Sequence, residues 1–162
     1  GAGVVAFLLQ SREYYAHRHR KQLDAGMRLA ALALGGLASA LPLAVVVVAG
    51  LASPRVQVAY VALVVLSVCG FVAAHYYKVV PFLVWNHRFG PLAGTRPLPR
   101  VAELYSARVA TVVVTLLAAG TVILVTAIAL GSGLGARLGA VLVAAGALVI
   151  TAQMLALSRR HP

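Results

Sequence analysis

Four long apolar runs, at residues 29–52, 54–85, 107–130 and 138–157, contain not one aspartate or glutamate. About 20 such residues suffice for a helix to cross the ~30 Å hydrocarbon core of a bilayer. Inside that core each backbone N–H and C=O must find its partner within the protein, which a helix achieves with its own ladder. The expected fold is therefore all-α, a polytopic transmembrane helix bundle with four full spans forming one integral membrane domain over residues 1–162. Only 10% of residues are charged and 62% are hydrophobic, whereas about a quarter of a soluble domain is charged. That leaves no room for a separate soluble domain. Residues 1–10 are apolar but too few to span, and they lack the basic start of a signal peptide. They read as the closing turns of a truncated N-terminal helix, as in the carboxy-terminal portion of a longer protein.

The connections support hairpins. Ser53-Pro54 suits an N-cap followed by proline at the first helical position. The glycine-rich stretch 131–135 between the third and fourth runs suits a tight turn. Pro42 falls within the first run, where a membrane helix tolerates it because neighbours or hydroxyls re-satisfy the freed carbonyl. The second run would reach about 48 Å as one straight helix, so it either tilts and protrudes or kinks at Pro81.

A net charge of +11 would point to nucleic acid in a soluble chain. Here the cations gather between the apolar runs, as in the cytoplasmic loops of membrane proteins. Arg12, Arg18, Arg20, Lys21 and Arg28 precede the first run; Arg88, Arg96, Arg100 and Arg108 follow the second; Arg159 and Arg160 end the chain. Only Arg55 and Arg137 lie on the other side, eleven against two, with Lys78 at the boundary. The positive-inside rule then puts residues 11–28, 87–106 and the C-terminus in the cytoplasm of a multi-pass protein of a bacterial cytoplasmic (inner) membrane. Arg18, Arg20, Lys21, Arg88 and the aromatics Tyr76, Tyr77 and Trp85 are the expected lipid and interface contacts. The expected partners are membrane lipids and other integral subunits, not nucleic acid.

The stretch HYYKVVPFLVWNHR at residues 75–88 is the chemically richest. His75 and Lys78 share a helical face with Phe82 and Trp85, where hydrocarbon gives way to headgroups. Ionisable groups at such depth usually have a partner, a ligand or a route to water. One reading is cofactor contact, with the imidazole ligating a haem iron or both residues holding a quinone. The other is an interface cluster in which Lys78 snorkels and His75 hydrogen-bonds to a neighbouring helix. A six-coordinate haem needs a second axial ligand, and His17, His19, His87 and His161 all fall in loops or at ends. His17 and His19 are a weak metal signal without a carboxylate or thiolate nearby.

Asp24, Glu13 and Glu103 are the only acids, all outside the apolar runs. A proton pump or cation-coupled transporter needs a carboxylate at membrane depth, and no catalytic pair stands out, so no catalytic residue is assigned and the chain alone is not expected to be an enzyme. Cys69, the single cysteine, forms no internal disulfide. Gly131, Gly135 and Gly139 repeat every fourth residue, with Ala140 and Ala144 extending a small-residue surface for helix packing. The same glycines do not make a phosphate loop, because they follow a helix and lack the Gly-Lys-Ser/Thr ending.

Residues 75–105, together with the basic run before Leu23-Asp24 and the first apolar run, resemble a segment of bacterial multi-span membrane proteins related to haem-copper oxidase subunit I. The resemblance implies a bioenergetic membrane, a haem, and an oxygen or nitric-oxide context. It departs from the catalytic pattern at residue 73, which is alanine where oxidases pair a second histidine with the first. The resulting expectation is a non-catalytic subunit of a respiratory or photosynthetic electron-transfer complex. The alternative is the C-terminal part of a haem-binding, oxidase-like redox protein using His75 as ligand.

Overall fold

The computed structural model describes residues 2–16, 24–92, 94 and 97–159. Among these, the chain forms five α-helices and no strands: α1 (Ala2–Ala16), α2 (Ala25–Val48), α3 (Pro54–Arg88), α4 (Ala107–Leu130) and α5 (Gly133–Ser158). Helices α2 to α5 are each long and apolar enough to cross a membrane. The fold is a four-span helix bundle with an additional shorter helix at the start. That shorter helix runs on to Ala16, so residues 11–16 are helical rather than part of a loop over 11–28.

Polar caps decide where the spans begin. The Asp24 carboxylate accepts from the Met27 N–H at 2.7 Å and starts α2 four residues before the apolar run proper. Ser53, Ser106 and Ser132 accept in the same way from the N–H three residues on, opening α3, α4 and α5. Each cap satisfies one of the donors that a helix leaves free at its N-terminus. Ser132 brings α5 in at Gly133, five residues before the apolar stretch expected from 138. Gly131 ends α4 in the left-handed region at φ 74°, the conformation for which glycine has no steric cost.

Helix α3 is unbroken through Pro81 over 35 residues, about 52 Å of helix. The long run is thus one helix that does not end at the proline. Pro81 lacks an N–H, and the carbonyl four residues earlier belongs to Tyr77, next to the most densely packed part of the molecule.

Two antiparallel hairpins, α2–α3 and α4–α5, make the closest helix pairs, and they dock on each other chiefly through α3 and α4. Small residues set both hairpin interfaces. A Cβ built on Gly139 would fall 2.5 Å from the Leu124 backbone nitrogen, one on Gly120 2.8 Å from that of Val143, and one on Gly146 2.9 Å from Leu117. In α2–α3, Gly36 lies directly against the buried Ser67 hydroxyl, which donates to the Leu63 carbonyl at 2.7 Å. Without a hydrophobic drive between helices in lipid, this close backbone approach supplies the dispersion contact that holds them.

Of the repeat expected at 131, 135 and 139, Gly135 and Gly139 face α4 and Gly131 does not. Gly131 is a cap outside the helix, and Gly135 sits in the first turn of α5 against Ala127. The buried packing continues from Gly139 to Gly146 instead. Ala140 and Ala144 do not extend that surface but lie exposed on the outer side of α5. Ala140 follows Gly139 directly and so points about 100° away from it, with Ala144 about 40° further round, which explains the divergence.

Most of the hydrophobic core gathers at one end of the bundle. Leu29, Ala74, Tyr77, Ala110, Val113 and Ile150 form one buried cluster, and Phe89, Leu104 and Leu157 a second. The first turns of α2 and α4 and the last turns of α3 and α5 meet there, with Arg28, Lys78, Arg88, Arg108 and Arg159. We call this the basic end. Arg55 and Arg137 mark the opposite end.

Candidate functional site

The basic end carries a layer of polar contacts that ties all four spans together. The buried Tyr77 of α3 donates its hydroxyl to Gln153 Oε1 of α5 at 2.8 Å. Gln153 Nε2 in turn donates to the Ser106 carbonyl at the head of α4 at 3.0 Å. The Arg28 guanidinium reaches Thr111 of α4 at 3.4 Å. Arg88 donates to the Ser158 carbonyl at 2.6 Å, placing a cation at the C-terminus of α5, where the helix dipole favours it. Trp85 Nε1 donates to the Pro99 carbonyl at 2.8 Å and pins the connection between α3 and α4.

These contacts change several of the expected roles. Tyr77, expected at the lipid interface with Tyr76, is only 3% exposed and belongs to the core, while Tyr76 is exposed. The two are neighbours in sequence and so point about 100° apart on the helix, which places one inward and one outward. Trp85 and Arg88 are half-buried against the protein's own loop and helix end. Arg18, Arg20 and Lys21, together with His17, His19, Arg96, Arg160 and His161, lie outside the described residues.

His75 and Lys78 line one side of a cleft of about 240 Å³ between α1, α2 and α3, faced by Phe7, Ser11 and Tyr14 of α1 and Met27 of α2. Phe82 and Trp85, grouped with them by helical spacing, do not line it. Lys78 Nζ lies 3.7 Å from Asp24 Oδ2, with both side chains about half-exposed. His75 Nδ1 is 2.8 Å from the Phe71 carbonyl oxygen. A carbonyl only accepts, so Nδ1 carries the proton, and in the neutral imidazole Nε2 presents its lone pair. The Phe71 ring flanks the imidazole, 4.8 Å between centroids and tilted by 56°. Such an imidazole can accept a hydrogen bond or coordinate a metal through Nε2, and the adjacent ammonium can hold an anionic or carbonyl oxygen. Among the described residues, no three His, Cys, Asp or Glu side chains lie together as a metal-binding group.

Asp24 has a part that spacing alone did not reveal. It caps α2, pairs with Lys78, and adds its negative charge to the surroundings of Tyr105. Burial, and secondarily that carboxylate, push the Tyr105 phenol above its usual pKa of 10.0. The Tyr105 ring lies 5.3 Å from that of Tyr77. A detectable signal for this layer existed in Gln153, an amide inside an otherwise apolar span, since such groups seek hydrogen bonds across helices.

No family model, no curated protein and no solved structure matches this chain.

Proposed function

We propose that this chain is a non-catalytic integral subunit that packs into a larger bioenergetic assembly, respiratory or photosynthetic, of the bacterial cytoplasmic membrane, with its basic end in the cytoplasm. The observation that carries this reading is the outer face of α5. Ala140, Ala144, Ala147 and Thr151 form an exposed small-residue strip there, roughly 110° around the helix from Gly139 and Gly146. The inner glycine face already serves α4, so the outer strip has no counterpart among the described residues of this chain. Small residues exposed in a span favour the approach of another helix over contact with lipid. The cation distribution supports the orientation.

Native mass measurement in mild detergent, on protein drawn from its own membrane, tests assembly. The expected result is a complex with other integral chains that Ala144→Trp releases. A lone wild-type monomer would overturn the reading. For orientation, Ser158→Cys in a Cys69→Ala background should react with an impermeant thiol reagent only after the cytoplasmic side is opened.

The tautomer of His75 favours a second reading, an oxidase-like redox protein in which this imidazole ligates haem iron. Backbone fixation of Nδ1–H is how metal-binding histidines are commonly oriented. Haem bands in the visible spectrum that vanish in His75→Ala are the expected sign of it, and bands indifferent to the substitution would rule it out.

A further inference from the structure

The cleft that His75 and Lys78 line is layered by depth. Helices α1 and α3 both run toward the basic end, and their lining residues recur at matching intervals. Tyr14 and Lys78 stand nearest that end. Ser11 and His75 each lie three residues back, about 4.5 Å deeper, and Phe7 and Phe71 each seven back, about 10 Å deeper. Polar atoms therefore occupy the upper two layers, and aromatic carbon the layer nearest the hydrocarbon.

We propose that this cleft binds the aromatic head of a membrane quinol, a hydroquinone on an isoprenoid tail, in preference to the oxidised quinone. The rings of Phe7, Tyr14 and Phe71 offer tilted or offset contact to an aromatic head. At about 240 Å³ the cleft is smaller than the roughly 300–1,000 Å³ of a drug-sized ligand site, which suits a ring head whose tail stays outside. Phe7, 46% exposed at the deep end, marks where the tail leaves for the hydrocarbon. The polar layer then decides the redox state. With Nδ1–H turned to the Phe71 carbonyl, Nε2 of the neutral imidazole accepts and cannot donate. A quinol hydroxyl donates to it, whereas the oxygens of a quinone only accept and leave that lone pair unanswered. Lys78 carries three N–H donors, and its pairing with Asp24 at 3.7 Å occupies one of them at most. The others fit a ring oxygen in either redox state. Lys78 thus holds both forms and His75 tells them apart. The site lies within one chain, so it does not rest on the assembly proposed above.

Anaerobic binding to the full chain in mild detergent tests this, at about pH 8, where an ordinary imidazole is neutral. The probes are menaquinol and ubiquinol with a single isoprene unit, each set against its own quinone. At least one quinol should bind, about fivefold tighter than its quinone, the worth of one hydrogen bond. His75→Phe keeps an aromatic ring but removes the acceptor, and should bring quinol and quinone to equal affinity. Lys78→Met should weaken both forms together, by about fivefold. Both side chains are exposed, so both variants should fold. Arg137→Gln, at the opposite end of the bundle, should change neither affinity. Failure of both quinols to bind, equal binding of quinol and quinone, or a preference that survives His75→Phe would overturn the proposal. So would an equal loss in Arg137→Gln, or a bound haem whose bands vanish in His75→Phe.

Discussion

Tyr77 and Gln153 stand 76 residues apart in the chain and share a 2.8 Å hydrogen bond between α3 and α5. The bond links the two hairpins at the end of the bundle where most of the buried core residues gather. Tyr77 belongs to the larger buried cluster with Ala74, Ala110 and Ile150. The hydroxyl has no water to return to at that depth, so the amide completes the packing that the ring begins.

Removing the hydroxyl with Tyr77→Phe should therefore destabilise the bundle by about 1 kcal/mol, the scale of one interhelical hydrogen bond. Gln153→Leu should cost more, because it also removes the donor to the Ser106 carbonyl. Thermal unfolding in a fixed detergent would read both. An effect of Gln153→Leu no larger than that of Tyr77→Phe would mean that the Ser106 contact adds nothing.

Close backbone approach makes a second contrast measurable. A methyl at residue 139 would meet the Leu124 backbone at 2.5 Å, where nothing flexible can move aside, whereas a methyl on Gly133 meets open space. Gly139→Ala should cost about 2 kcal/mol through overpacking between α4 and α5. Gly133→Ala should be neutral within ~0.5 kcal/mol. Comparable melting temperatures for the two variants would show that the α4–α5 interface can open without loss.

At the opposite end, the Arg55 guanidinium from the first turn of α3 lies over Gly131, where α4 ends; a Cβ on that glycine would fall 2.5 Å from Arg55 Nη1. The cation sits at the negative end of the α4 dipole. Gly131→Ala should be destabilising by about 1–2 kcal/mol, since φ 74° is left-handed and the new methyl displaces the arginine. Arg55→Gln should cost about 0.5 kcal/mol. Unfolding midpoints in low and high salt separate the two, because only the dipole contribution of Arg55 is screened.

These contrasts show which parts of the molecule were legible in its residues. The spans were plain because apolar length alone decides them, whereas their ends followed Asp24 and Ser132, single capping residues that an apolar count passes over. Gly139 was recognisable as a packing residue, but its partner Leu124 lies 15 residues earlier on another helix, and no spacing rule within α5 can find it. His75 and Lys78 stood out as ionisable groups at the membrane boundary. The pairing of Lys78 with Asp24, and the cleft that Lys78 borders, depend on how α1 and α2 pack beside α3. Tyr76 and Tyr77 make the same point, because identical neighbours acquire opposite environments only once the helix has a defined inner face.

Alkaline pH gives a further test, through Tyr105, which lies in the connection before α4. Burial, and then the Asp24 carboxylate, raise its pKa in the folded protein above the ordinary 10.0. The unfolded chain thus releases this proton at lower pH than the folded one. By linkage, the stabilisation is fully present below pH 10 and is lost as pH rises from there through the higher folded value. Stability measured by denaturant titration between pH 9 and 11 should therefore fall, and Tyr105→Phe should flatten the part of that slope due to this phenol. Asp24→Asn should flatten it less, because the carboxylate is the smaller of the two causes. An unchanged slope in Tyr105→Phe would assign the alkaline loss to other groups and leave the aromatic pair with Tyr77 as a packing contact only.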